Sequence, residues 1–142
     1  MVYQWDSSLE TGYDKIDNQH KQLIAAVNNL MEASKSGKGD SAVMKTLNFL
    51  TGYAVKHFSD EEQLQLDYEY PDYPNHKRVH NEFKEKVGEL TQQVAKDGPT
   101  VEIIDLASAV VGSWLLNHIK GDDSKMAAFV KAEDAKALCE VE

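Results

Sequence analysis

Three clusters of helix breakers and the apolar spacing between them leave this chain few folds to choose from. Ser36-Gly37-Lys38-Gly39-Asp40, Tyr70-Pro71-Asp72-Tyr73-Pro74 and Asp97-Gly98-Pro99-Thr100 cut the sequence into four stretches, and all three prolines lie in these connectors. Each stretch is helical by period. In the first (roughly 18–36), His20, Leu23, Ile24, Val27, Leu30 and Met31 share one stripe. The second (roughly 41–66) carries Val43, Leu47, Leu50, Ala54, His57, Glu61 and Leu64, steps of four and three throughout. The third (roughly 73–96) carries His76, His80, Phe83, Val87, Leu90 and Val94. The fourth (roughly 100–119) has Ile103, Ala107, Val110, Trp114 and His118, flanked by Ile104, Val111 and Leu115. Such stripes are the buried faces of amphipathic helices. Asp40 or Ser41 is the expected cap of the second helix and Thr100 that of the fourth. Four such helices on short connectors predict an all-α fold, an antiparallel up-down-up-down four-helix bundle with an N-terminal arm and a short C-terminal helical tail. At 142 residues, 1–142 is expected to be a single domain.

The chain has five histidines, His20, His57, His76, His80 and His118, and all five fall on these apolar seams. One seam histidine is ordinarily a hydrogen-bonded core residue. Five, beside Glu61, are costly to bury unless something pairs with their lone pairs, and a metal ion does that. His57 and Glu61 are four residues apart, as are His76 and His80, so each pair projects side by side from one helix face. Helix direction brings the pairs together. His20 is near the start of the first helix, His57 and Glu61 late in the second, His76 and His80 early in the third, and His118 at the end of the fourth. Alternating directions place all of them at one end of the bundle.

Asp123 is less clear. Five residues of ideal helix leave it about 140° from His118, so both face one site only if the helix ends or distorts between them, which Gly121 permits. It reads equally as a solvated acid beside Asp122. Five imidazoles and two carboxylates are more than one metal needs. Two six-coordinate metals, with both carboxylates and an oxygen bridging them, would have one position left open. A nitrogen and oxygen donor set without thiolate suits iron, manganese or zinc, and a closed structural zinc site uses fewer ligands.

Composition narrows the function. A formal charge of −9 argues against a nucleic-acid partner and suits a soluble cytoplasmic protein. No apolar run approaches the roughly 20 residues of a membrane span. The first residues, Met1 to Asp6, lack the basic start and apolar core of an export signal. Cys139 is the single cysteine, expected as a free surface thiol.

Taken in order, these pieces resemble the single-domain bacterial hemerythrins. The resemblance runs from Trp5 through Gly12, Ile16-Asp17-Asn18-Gln19-His20 and His57-Phe58-Ser59-Asp60-Glu61-Glu62 to Tyr70-Pro71, His76 to His80 with Phe83, Trp114-Leu115-Leu116-Asn117-His118-Ile119 and Asp123. It implies a cofactor of two non-haem iron ions bridged by an oxo or hydroxo group, Glu61 and Asp123. His76, His80 and His118 would hold one iron, and His20 and His57 the other, which keeps the open position. Leu115, with Trp114, would cover a dioxygen pocket. The implied function is reversible dioxygen binding, as carrier, store or local supply, without enzymatic turnover. The alternatives are an oxygen or redox sensing module, or an enzyme acting on peroxide or nitric oxide. Two positions depart from the family pattern: Gln65, where methionine is frequent, and Glu69, where glycine is frequent. Gln65 is read either as a polar group near the site or as solvent-facing at the helix end.

Overall fold

The computed structural model describes residues 3–37 and 39–141, with side chains through residue 138. The side chain of Cys139 therefore lies outside the described part. Five long helices follow one another: α1 (Asp14–Lys35), α2 (Asp40–Asp67), α3 (Tyr73–Asp97), α4 (Val101–His118) and α5 (Ser124–Val141). A 3-10 turn, Ser7–Leu9, precedes them, and a π-helical turn, Ile119–Asp123, joins α4 to α5. Helix α1 packs on α2 and α4, and α3 packs on α2 and α4, so α1 to α4 close a ring around one core. No helix among the described residues is long and apolar enough to cross a membrane.

The expected seams are buried on α1 and on most of α2 and α3, with His20, His57, His76, His80 and His118 inside. The seam of α4 is rotated from the expected one. Ile104, Ala107, Val111, Leu115 and His118 are buried, while Val110 is exposed and Ile103 and Trp114 are half-buried. Helix α4 is apolar nearly all round, so spacing alone did not choose between adjacent stripes. Thr100 caps α4 as expected, its side chain accepting from the Ile103 N–H at 3.2 Å. Helix α2 is different: Gly39 (φ +97°) is the capping position, Asp40 is already helical, and no side chain caps the end.

The N-terminal arm is tied down residue by residue. Asn28 bonds the Tyr3 N–H at 2.9 Å and the Tyr3 carbonyl at 2.7 Å. The Tyr3 ring lies over Gly112, where a Cβ would come within 2.3 Å of it, so only glycine on α4 leaves room for the arm. Buried Asp17 accepts from the Thr11 N–H at 2.9 Å and the Thr11 hydroxyl at 2.7 Å, folding the arm onto the start of α1.

The C-terminal tail is as long as α4. Met126 and Val130 of α5 form a second small core with Ile16 and Tyr70, and Tyr68 donates to Asp134 at 2.6 Å. Helix α5 therefore covers the end of the bundle where α1 starts and α2 hands over to α3.

At that handover Glu69 has φ +53°, the one positive φ on a non-glycine residue among those described. The Tyr70 N–H bonds the Gln65 carbonyl at 2.9 Å and the Glu69 N–H bonds the Leu66 carbonyl at 3.2 Å. This paired pattern is a Schellman ending, whose left-handed residue is usually glycine. A side chain there costs about 1–2 kcal/mol, partly offset by the greater freedom of glycine in the unfolded chain. Glu69→Gly should therefore stabilise the protein by about 0.5–1 kcal/mol. A denaturation midpoint equal to or below that of the parent would contradict this.

Candidate metal centre

Each cluster residue is set by the helix that carries it. His20 stands in the second turn of α1, His57 and Glu61 near the end of α2, and His76 and His80 in the first turns of α3. The structure brings them together with His118 and Asp123 in the interior, each no more than 3 % exposed. Asp123 reaches the cluster because the helix distorts instead of ending. The turn from Ile119 to Asp123 is π-helical, with Gly121 inside it. A π turn holds one extra residue, so positions five apart share a face, as His118 and Asp123 do here. The Ser124 hydroxyl donates to the Ile119 carbonyl at 2.9 Å within this distorted turn.

The two carboxylates divide the histidines between their oxygens. Glu61 Oε2 faces His57 Nε2 at 3.2 Å and His20 Nε2 at 3.5 Å, while Oε1 faces His80 at 3.1 Å and His76 at 3.6 Å. Asp123 Oδ2 lies 2.8 Å from His20 Nε2, and Oδ1 lies 3.0 Å from both His76 and His118. Two overlapping groups result. Glu61, His76, His80, His118 and Asp123 form one, and His20, His57, Glu61 and Asp123 form the other, each compact enough to hold a metal ion. Only the carboxylates belong to both.

These approaches are close in distance but misaligned as hydrogen bonds. His20 Nε2, His57 Nε2, His76 Nε2 and all four oxygens of Glu61 and Asp123, seven atoms, are buried without a hydrogen-bond partner. An unsatisfied buried polar atom costs about 1–3 kcal/mol. In the metal-free chain the opposite charges of imidazole and carboxylate offset part of that cost. Cations bound among them remove that cost, because the atoms converge on common points instead of on one another. The donor set fits a pair of metal ions.

The far nitrogens of three rings are held by acceptors. His57 Nδ1 meets Gln19 Oε1 at 2.7 Å, and Gln19 is oriented by its own donation to Asp60 at 2.8 Å. His80 Nδ1 meets Glu62 at 3.0 Å and His118 Nδ1 meets Asp122 at 2.9 Å. An acceptor at Nδ1 keeps a proton there and turns Nε2 into the cluster, the arrangement that orients metal-binding histidines. Sequence reasoning assigned no role to Gln19, Glu62 or Asp122. Asp122 was readable, four residues after His118. The contact of Glu62 with a histidine of the next helix was not.

Charge follows the same pattern. Burial alone would pull His20, His76 and His118 down, but the adjacent carboxylates outweigh it and raise His20 and His76 to about 9 and His118 to about 10. Burial would likewise push Glu61 and Asp123 up, yet the surrounding imidazoles hold both carboxyls below their ordinary values.

Phe58 packs against the cluster, its ring stacked on His80 at 4.1 Å, and Trp114 stacks on His118 at 4.6 Å. Leu115 is buried in the main core. Below Phe58 an apolar cavity of ≈ 440 Å³ opens between α2 and α3, lined by Leu50, Ala54, Phe83, Val87 and Val111 among others.

Gln65 does not face solvent. It is fully buried one turn after Glu61, and neither atom of its amide has a partner. Gln65→Met keeps the length of the side chain and removes an unpaired amide, so it should stabilise the protein by about 1–2 kcal/mol. A loss of stability in a chemical melt would show instead that the amide is satisfied.

The Hemerythrin HHE cation binding domain model matches residues 11–130. The chain belongs to the hemerythrin family. It is 37 % identical over 130 residues to a bacteriohemerythrin of Stenotrophomonas maltophilia, covering 90 % of this chain and 81 % of that protein. It is 32 % identical over 123 residues to a myohemerythrin of Theromyzon tessulatum, covering 87 % and 89 %. Among solved structures, a hemerythrin mutant crystal structure superposes with a TM-score of 0.80 at 25 % identity, covering 92 % of this chain and 98 % of that one. The hemerythrin match spans every cluster residue from His20 to Asp123.

Proposed function

We propose that this chain binds dioxygen reversibly at two non-haem irons and is not an enzyme. The observation that carries the reading is the split of Glu61 and Asp123, one oxygen of each toward His20 or His57 and the other toward the remaining three histidines. His76, His80 and His118 would hold one iron, His20 and His57 the other, with both carboxylates bridging. The group with His20 and His57 offers one protein ligand fewer. When bound, the two irons would supply the electrons for reversible dioxygen binding. The chain does the rest. Gln19, Glu62 and Asp122 fix three ring tautomers. Phe58, Trp114 and Leu115 keep water from the metals, and the apolar space beneath Phe58 admits an uncharged gas more readily than an ion.

Turnover of peroxide or nitric oxide would need a proton donor at the site and solvent access. Neither Tyr53, packed on Phe49, nor Tyr70, in the core under α5, is among the cluster contacts. The burial of all five histidines supports a carrier. Residues 1–142 act as one domain on this reading, since the main core runs from Leu9 to Ile119 and the second core joins α1 to α5.

The test is anaerobic reduction followed by exposure to oxygen, with metal analysis and visible spectroscopy. Two irons per chain and a coloured form that bleaches on removal of oxygen are expected. A single zinc, or iron that passes directly to a stable oxidised form, sinks the proposal. His57→Ala should lose one of the two metals and keep the helical bundle; unchanged metal content would remove His57 from the ligand set.

A further inference from the structure

The cluster lies inside the bundle, yet a cation must reach it from water. A hydrated divalent ion gives up its water ligands only where oxygen or nitrogen replaces them. The large cavity under Phe58 is mostly apolar, and its polar lining, Thr51, Lys84, Thr91 and Gln92, includes no carboxylate. A second, smaller cleft does. It measures ≈ 170 Å³, runs between the start of α1 and the end of α2, and is lined by Lys15, Asp60, Glu61, Gln63 and Asp67 with three less polar neighbours. Lys15 and Asp67 are exposed and Asp60 is half-buried, whereas Glu61 is 1 % exposed, so polarity runs from the rim to the interior.

Acidic residues at a groove mean little by themselves. Two further facts give this groove direction. Its innermost residue, Glu61, has both carboxylate oxygens buried and unpartnered. Its wall residue Asp60 accepts from Gln19 at 2.8 Å, and Gln19 Oε1 meets His57 Nδ1 at 2.7 Å, so one hydrogen-bonded chain joins the cleft to a cluster histidine. Unlike the apolar cavity under Phe58, this cleft is lined by a cluster residue.

We propose that the α1–α2 cleft is the route by which divalent cations enter the centre. Asp67 and Asp60 draw the hydrated ion to the rim, Glu61 is the first cluster group to replace its water, and Lys15 opposes entry. The route rests on the reading of the cluster as a metal centre. Dioxygen and cations then approach from different sides of α2, one through apolar and one through polar surroundings.

Cobalt(II), whose visible bands report occupancy without any oxygen chemistry, is the probe. The full chain is stripped with a chelator and mixed with cobalt(II) in a stopped-flow instrument. Reversing a rim charge changes the local attraction of a dication, and the change fades as salt shortens the screening length. Asp67→Lys should slow loading about five- to tenfold at low ionic strength, and Lys15→Glu should accelerate it by a similar factor. Both effects should shrink at high salt, with final occupancy unchanged. Asp97→Lys, exposed at the far end of α3, carries the same charge change and should leave the rate near that of the parent. Loading at the parental rate in both rim variants, or an equal slowing by Asp97→Lys, overturns the route while leaving the metal centre intact. A parent chain that takes up no cobalt and no iron overturns the metal centre itself, and the route with it.

Discussion

Asp123→Ala is expected to abolish two-metal loading and to destabilise the metal-free protein, while Asp122→Ala does neither to a comparable degree. The two acids are adjacent in sequence and opposite in situation. Asp123 is fully buried, with one oxygen 2.8 Å from His20 and the other 3.0 Å from His76 and His118. Its removal takes a shared group from both halves of the centre. It also strips three raised imidazoles of a carboxylate that holds their charge. Breaking a buried ion pair by deleting one partner costs about 3–5 kcal/mol. For a domain of this length that lowers the melting temperature by roughly 10 °C or more. Asp122 is part-exposed and touches only the outer nitrogen of His118, at 2.9 Å, so its loss costs about 1 kcal/mol or less once solvent screening is counted. Metal analysis and thermal melts of the two variants side by side decide the matter. Two irons per chain in Asp123→Ala would remove the bridging role, whatever happened to stability.

How the chain reaches that arrangement was partly open to a reader of the sequence. The bundle was legible because α1, α2 and α3 carry one apolar stripe each and because the connectors hold the breakers. The convergence of the histidines was legible because alternating helix directions bring the start of one helix beside the end of the next. The seat of Asp123 was not. Five residues on an α-helix point the wrong way, and a single extra residue in the turn from Ile119 to Asp123 decides the outcome, which the period of α4 does not carry. The burial of Gln65 escaped for a related reason. Its stripe on α2 continues past Glu61, where the neighbouring Leu64 packs against the second core that α5 completes, and a helical tail has no fixed direction in the sequence. Glu62 and Gln19 orient histidines of other helices, and contacts between helices leave no mark in the period of either one. The cap of α2 was misplaced by one or two residues, because Gly39 makes the turn that Asp40 or Ser41 was expected to make.

The metal-free protein should have a narrow pH optimum that metal loading broadens. His20 and His76 are raised from 6.5 to about 9 and His118 to about 10 by Asp123 and Glu61, against the pull of burial. A group with a raised folded pKa binds more protons in the folded state, so its contribution is complete below the unfolded value near 6.5 and disappears as pH rises through 9 to 10. Glu61 and Asp123 lie below their ordinary values of 4.5 and 3.8. Their contribution is complete above those values and disappears as pH falls below them. The metal-free chain should therefore be most stable between about pH 5 and 6.5 and weaken in both directions. Metals displace the imidazole protons, so loading should release protons at neutral pH and tighten as pH rises. Once loaded, the histidines no longer depend on protons for partners, and the alkaline loss should vanish. Chemical denaturation of metal-free and loaded protein from pH 4 to 10, with proton release followed in weak buffer, separates the cases. A metal-free chain as stable at pH 9.5 as at pH 6 would mean that its histidines are neutral, and that the carboxylates find their partners elsewhere.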